Sequence, residues 1–80
     1  MPIDDLTALG QKMREARKRK GLTQQELSDL SHVSVKQIAN IEKGQMNPAY
    51  LILRALAKVL HISLDSLINS DISPGDDGAN

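Results

Sequence analysis

The sequence predicts an all-α fold, one compact domain built from five short helices. Three observations carry that expectation. Apolar residues recur at spacings of three and four, and no alternating run is closed by a hairpin turn. Helix-start signals repeat along the chain, at Thr23, Ser34, Asn47 and Ser63. Finally, none of the 80 residues is cysteine, so stability must come from packed helices with well-made ends and not from disulfides or thiolate metal sites.

The first helix is expected over 6–20, with Leu6, Leu9, Met13 and Ala16 on one stripe and Gly21 ending it. Thr23-Gln24-Gln25-Glu26 then reads as a capping box, flanked by Leu22 and Leu27 at the staple positions, and opens a helix over 24–31. Ser34-Val35-Lys36-Gln37 repeats the box, with Val33 and Ile38 as its staple, for a helix over 35–43. Asn47-Pro48 suggests an Asn cap with proline in the first helical position, opening 48–60. Ser63 caps a last helix over 64–68, and the Pro, Gly and Asp content of 71–80 reads as a disordered acidic tail beyond a domain at 1–70.

Helices this short are marginal alone and must pack on one another. The expected core is Leu9, Met13, Ala16, Leu22, Leu27, Leu30, Val33, Ile38, Ile41, Leu53, Leu56, Ala57, Leu60, Ile62 and Leu67. It is aliphatic, because Tyr50 is the chain's one aromatic residue.

Composition narrows the function classes. The longest apolar run, AYLIL at 49–53, is far short of a membrane span, and Asp4 and Asp5 stand where a signal peptide needs basic residues. The expectation is a soluble, unexported protein suited to the cytoplasm. Nothing points to an enzyme: there is no Cys, no Ser-His-acid arrangement, no phosphate-cradling glycine loop and no cluster of metal ligands, so neither catalytic residue, metal nor cofactor is expected.

The net charge of zero conceals an uneven distribution. KMREARKRK at 12–20 carries six Lys or Arg against one Glu, whereas 71–80 carries three Asp and no cation. Residues 1–70 hold ten basic and seven acidic side chains, a net of +3. Local fields matter more than the total, and the basic run reads either as a solvated helix face or as attraction for a polyanion.

Only Ser31, His32 and Val33 separate the second and third helices, which should therefore cross steeply in a helix-turn-helix. On the third helix Ile38, Ile41 and Glu42 fall on one side, and Lys36, Asn40 and Lys43 on the other. The polar side reads as an ordinary solvated face or as a surface offered to a major groove. Its residue types suit the second reading: Lys donates to guanine, Asn or Gln can pair with adenine, and Val can touch a thymine methyl. Gln24, in the first turn of the second helix, is placed to bond a phosphate.

Residues 9–68 resemble the Cro/C1-type helix-turn-helix (XRE-like) family of phage repressors and bacterial regulators. The resemblance lies in LGQKMREARKRKGLTQQEL at 9–27, VSVKQIANIEKG at 33–44, Asn47-Pro48 and LAKVLHISLDSLI at 56–68. It implies a lambda-repressor-like domain that reads double-stranded DNA, normally a pseudo-palindromic operator, as a homodimer. It also implies base contacts from Val35, Lys36, Gln37 and Asn40, phosphate contacts from Thr23, Gln24, Ser34 and Lys43, and an ion pair between Arg17 and Glu42. Lys18, Arg19 and Lys20 are then left to supply diffuse positive field.

Three departures from the family pattern stand out. His32 and His61 occupy turns where glycine is usual, Ser28 replaces a small alanine, and Met46 stands where a phosphate-binding cation is common. Histidine with positive φ should bring modest strain. A pH-sensing or metal-binding role for the two histidines is the sharper alternative, without a recognisable partner to support it. Ile68, Ile72 and the outward members of Leu51 and Ile52 are candidates for a dimer face. The competing function is a protein-holding module, an antitoxin or coactivator-like adaptor on the same fold.

Overall fold

A computed structural model of the chain describes residues 6–68, in which five helices and no strand occur: α1 Leu6–Arg19, α2 Gln24–Ser31, α3 Val35–Glu42, α4 Tyr50–Leu60 and α5 Leu64–Ile68. The expected tail at 71–80 and Ile72 lie outside the described residues. The all-α five-helix expectation holds, with each helix end within about two residues of its predicted place.

α1 turns Leu9, Met13 and Ala16 inward, and Gly10 and Arg17 are buried beside them. It ends through Gly21 (φ 74°), where Leu22 N–H donates to the Arg17 carbonyl and Gly21 N–H to that of Lys18. α2 opens on the complete capping box: Glu26 N–H donates to Thr23 Oγ1 (3.0 Å) and Thr23 N–H to Glu26 Oε1 (2.9 Å). At Ser34 only half of the second box forms. The Gln37 N–H donates to Ser34 Oγ (3.1 Å), but the Ser34 hydroxyl turns to Gln37 Oε1 (3.4 Å) in place of the reciprocal backbone bond. Ser63 Oγ accepts from Ser66 N–H at the start of α5.

α4 departs from the sequence reading. It begins at Tyr50 with Ala49 as an extended N-cap lacking a side-chain bond, not with Asn47 capping Pro48. Pro48 is instead buried in the extended stretch before the helix. Its ring contributes packing from outside α4, and the first helical carbonyl is that of Ala49, which accepts from Leu53 N–H.

α1 packs chiefly against α3, α2 against both α3 and α4, and α5 closes over α1 and α4. The common core is Leu9, Met13, Ala16, Leu27, Val33, Ile38, Ile41, Leu53, Leu56, Ala57, Leu60 and Leu67, with Leu22 and Ile62 half-buried at its edge. Leu30 is the exception to the expected list, at 57% exposed. α2 docks along the line from Leu27 to Ser31, one turn on, and that geometry leaves Leu30 at the rim of an open cleft with His32, Ala55, Lys58 and Val59. Ser31 is buried in its place, its hydroxyl accepting from Val33 N–H.

The two histidine turns are left-handed, as their departure from glycine required: His32 has φ 64° and His61 φ 59°. Met46 is half-buried and packed against the core, so the side chain that replaces a cation in the loop after α3 points to the interior. Among the described residues no helix is long and apolar enough to cross a membrane.

Candidate nucleic-acid interface

α3 is the helix to build from. Eight residues long, it buries Ile38 and Ile41 completely, and this pair fixes which side of the helix faces the domain. Val35, Lys36 and Lys43 are exposed, while Gln37, Ala39 and Asn40 are half-buried. Lys36, Asn40 and Lys43 follow one another at i, i+4 and i+7 and so share the side away from the isoleucines.

A single ion pair anchors the helix from below. Arg17 Nε donates to Glu42 Oε2 at 2.7 Å and Arg17 Nη2 to Glu42 Oε1 at 3.0 Å, a two-pronged contact between α1 and α3 with the side chains 10% and 4% exposed. Arg17 Nη1 donates to the Leu22 carbonyl at 2.9 Å, so the same guanidinium also holds the turn leading into α2. The hydrogen bond to Glu42 raises the Arg17 pKa above its ordinary value, and burial opposes it.

Gln24 joins this network through a bond that sequence spacing does not reveal. Its Nε2 donates to Glu42 Oε1 at 3.0 Å, which fixes the orientation of the amide and leaves its second N–H without a partner among the described residues. The Thr23 hydroxyl is engaged as an acceptor in the cap of α2, and that of Ser34 in the cap of α3. Both oxygens therefore have a defined position beside their helix N-termini, and the Thr23 hydroxyl hydrogen can still be given to an anion.

Around the Arg17–Glu42 pair lies an open cleft lined by Arg14, Gln24, Ala39 and Lys43. Thr23 and Gln24 open α2, Ser34 to Asn40 run along α3, and Lys43 closes it, so the residues singled out in the sequence occupy the two helices of the motif and the cleft beside them. Arg14 was missed. It lies three residues before Arg17 on α1, but Lys18 lies four residues after it, so helical spacing alone does not single it out of the basic run. Ile52 is half-buried, whereas Leu51 and Tyr50 are 69% and 63% exposed on the outer side of α4.

Comparison with known proteins agrees with this architecture. Residues 13–67 match the family described as helix-turn-helix. A competence pilus inhibition repressor of Acinetobacter baylyi is 41% identical over 59 residues, 74% of this chain and 54% of the repressor. An uncharacterised HTH-type transcriptional regulator of Bacillus subtilis, YazB, is 38% identical over 58 residues, 72% of this chain and 84% of that protein. Among solved structures, the restriction-modification controller protein C.AhdI of Aeromonas hydrophila superposes with a TM-score of 0.76 at 36% identity, covering 79% of this chain and 96% of the controller. The chain spans about half the length of several curated relatives it matches, the Acinetobacter repressor and the immunity repressor of Bacillus phage phi105 (44%) among them.

Proposed function

The chain belongs to the Cro/C1-type helix-turn-helix family, and we propose on that footing that it is a sequence-specific, repressor-like transcriptional regulator of the cytoplasm that reads double-stranded DNA with α3 in the major groove. The observation that carries the reading is the division of α3. Ile38, Ile41 and Glu42 hold it to the domain, Lys36, Asn40 and Lys43 lie on the side left over, and exposed Val35 stands at its leading end. In this reading Val35, Lys36, Gln37 and Asn40 meet base edges, while Thr23, Gln24, Ser34 and Lys43 meet phosphates.

One α3 spans too few base pairs for a unique site, so the regulator acts as a twofold dimer on half-sites about 34 to 36 Å apart. Exposed Leu51 and Tyr50 on α4 support a pairing surface away from α3. A protein-holding adaptor on the same fold forecasts the opposite behaviour toward DNA, indifferent to sequence and to salt.

Selection of bound duplexes from a random pool tests the proposal. A repeated half-site with fixed spacing, and an affinity that falls with salt by roughly 0.9 in the log-log slope per neutralised phosphate, is the expected result. Equal affinity for every duplex overturns it.

A further inference from the structure

Outside the residues already assigned, Arg14 brings an unexplained positive charge to the cleft beside α3. Its side chain has no hydrogen-bond or ion-pair partner among the described residues, and it lines the same cleft as Gln24 and Lys43. The floor of that cleft is electrically closed. Glu42 accepts from Arg17 twice and from Gln24 once, and Arg17 gives its remaining inner N–H to the Leu22 carbonyl, so each charge of the pair answers the other. What stays unbalanced is the rim: the Arg14 guanidinium from α1 and the Lys43 ammonium from α3.

We propose that this cleft is a single phosphodiester-binding site whose principal ligand is Arg14, with Lys43 and the second amide N–H of Gln24 as its other donors. The cleft has a volume of about 220 Å³ and is open to solvent, so a phosphate group can enter it with part of its hydration shell. The chemistry suits a diester oxygen pair: a planar guanidinium grips two oxygens at once, an ammonium acts as a point charge, and a fixed amide sets orientation. Glu42 is here a positioning residue. Its carboxylate takes one N–H of Gln24 Nε2 at 3.0 Å and so holds the amide in one rotamer, with the second N–H as the donor left for an anion. The site rests on the DNA-binding reading above and deepens it, because it brings α1 onto the DNA backbone and locks the domain's register from three helices in place of two.

A localised site and a diffuse basic field make different forecasts. Arg19 carries the same charge on the same helix but lies five positions on, roughly 140° round the axis. It lines another cleft, with Lys12, Ile62 and Ser66. The experiment is fluorescence anisotropy of the full chain with a duplex carrying its selected site and with a scrambled duplex, over a range of salt, for the wild type, Arg14→Gln, Arg14→Lys and Arg19→Gln. Arg14→Gln is expected to weaken both duplexes by one common factor and to flatten the salt slope by about 0.9 for each chain bound. Arg14→Lys should restore the slope, and Arg19→Gln should leave it near the wild-type value. Thermal unfolding of all four is expected to coincide, since Arg14 and Arg19 are both exposed. Equal slopes for Arg14→Gln and Arg19→Gln, or an unchanged slope for Arg14→Gln in a protein that otherwise prefers its site, overturns the phosphate site and leaves the regulator standing. A wild type that binds neither duplex overturns both.

Discussion

Arg17 and Glu42 lie 25 positions apart in sequence and 2.7 Å apart in space, and this buried pair is where the fold and the candidate site meet. It fastens α3 to α1, holds the turn before α2 through the Leu22 carbonyl, and sets the Gln24 amide. A change at either residue therefore reaches the polar side of α3 and the N-terminus of α2 through the packing of the domain.

Arg17→Ala is expected to cost about 3 to 5 kcal/mol, because it leaves the Glu42 carboxylate buried without its partner. At roughly 0.05 to 0.15 kcal/mol of stability per residue, an 80-residue domain has about 4 to 12 kcal/mol in all, so the variant should lose a large share of its stability. Urea denaturation measures it, and a loss under about 1 kcal/mol would mean the pair behaves like an exposed one. The pair's arginine brings no pH dependence in the acid or neutral range. Its folded-state pKa is raised, so the associated stability is complete below the unfolded value and disappears only as pH rises through the folded one, in strong alkali.

Gly10→Ala should destabilise in spite of alanine's better helix propensity. A Cβ at Gly10 would stand 2.4 Å from the Ile41 carbonyl oxygen and 2.7 Å from that of Glu42, both backbone atoms of α3 that cannot rotate away. Alanine gains about 0.5 to 1 kcal/mol in the helix, whereas forced overpacking costs roughly 1 to 3 kcal/mol and separates α1 from α3. A lowered melting temperature is expected, and one equal to or above the wild type's would show that the two helices have room to part.

His32→Gly should raise stability by about 0.5 to 1 kcal/mol. The left-handed turn costs an L-residue roughly 1 to 2 kcal/mol, against which glycine loses more chain entropy on folding. The His32 side chain is exposed and makes no described hydrogen bond that would be lost. His61→Gly should gain less, since His61 Nδ1 accepts from Lys20 Nζ at 2.6 Å and ties the end of α4 to the end of α1. Thermal unfolding of the two variants side by side tests the order, and a loss of stability in His32→Gly would show that the imidazole contributes something its contacts do not reveal.

Local physics accounts for what was legible in the letters. Capping at Thr23 and Ser34 depends on residues three apart, and the burial of Met13, Ile38 and Leu56 on helical spacing, both of which a sequence displays directly. Pro48 illustrates the limit. As a first-turn residue it obeys a local rule, but its ring is buried outside α4, and only tertiary packing shifts the start to Tyr50. Leu30 fails for a related reason. It lies at the margin of the α2 stripe, and whether the margin is covered depends on how α2 lies against α4. At the candidate site, the polar side of α3 was visible from periodicity. The bond from Gln24 to Glu42 and the place of Arg14 in the cleft were not, because both depend on how three helices converge.

Asn40 and Lys43 share one side of α3, yet they should respond differently to truncation. Asn40 is half-buried with no described side-chain bond, and in the proposed function its amide pairs with a base edge, where only one base fits both donor and acceptor. Asn40→Ala should then weaken the selected site by about 1 to 3 kcal/mol and leave scrambled duplex binding nearly unchanged. Lys43 is exposed at the C-terminal end of α3 and lines the cleft with Arg14, so Lys43→Ala should weaken both duplexes together and flatten the salt slope by about 1. Competition titrations on both duplexes at several salt concentrations separate the two behaviours. If the variants lose selected and scrambled DNA in the same proportion, Asn40 contacts the backbone, and base reading must rest on Val35, Lys36 and Gln37 at the leading end of α3.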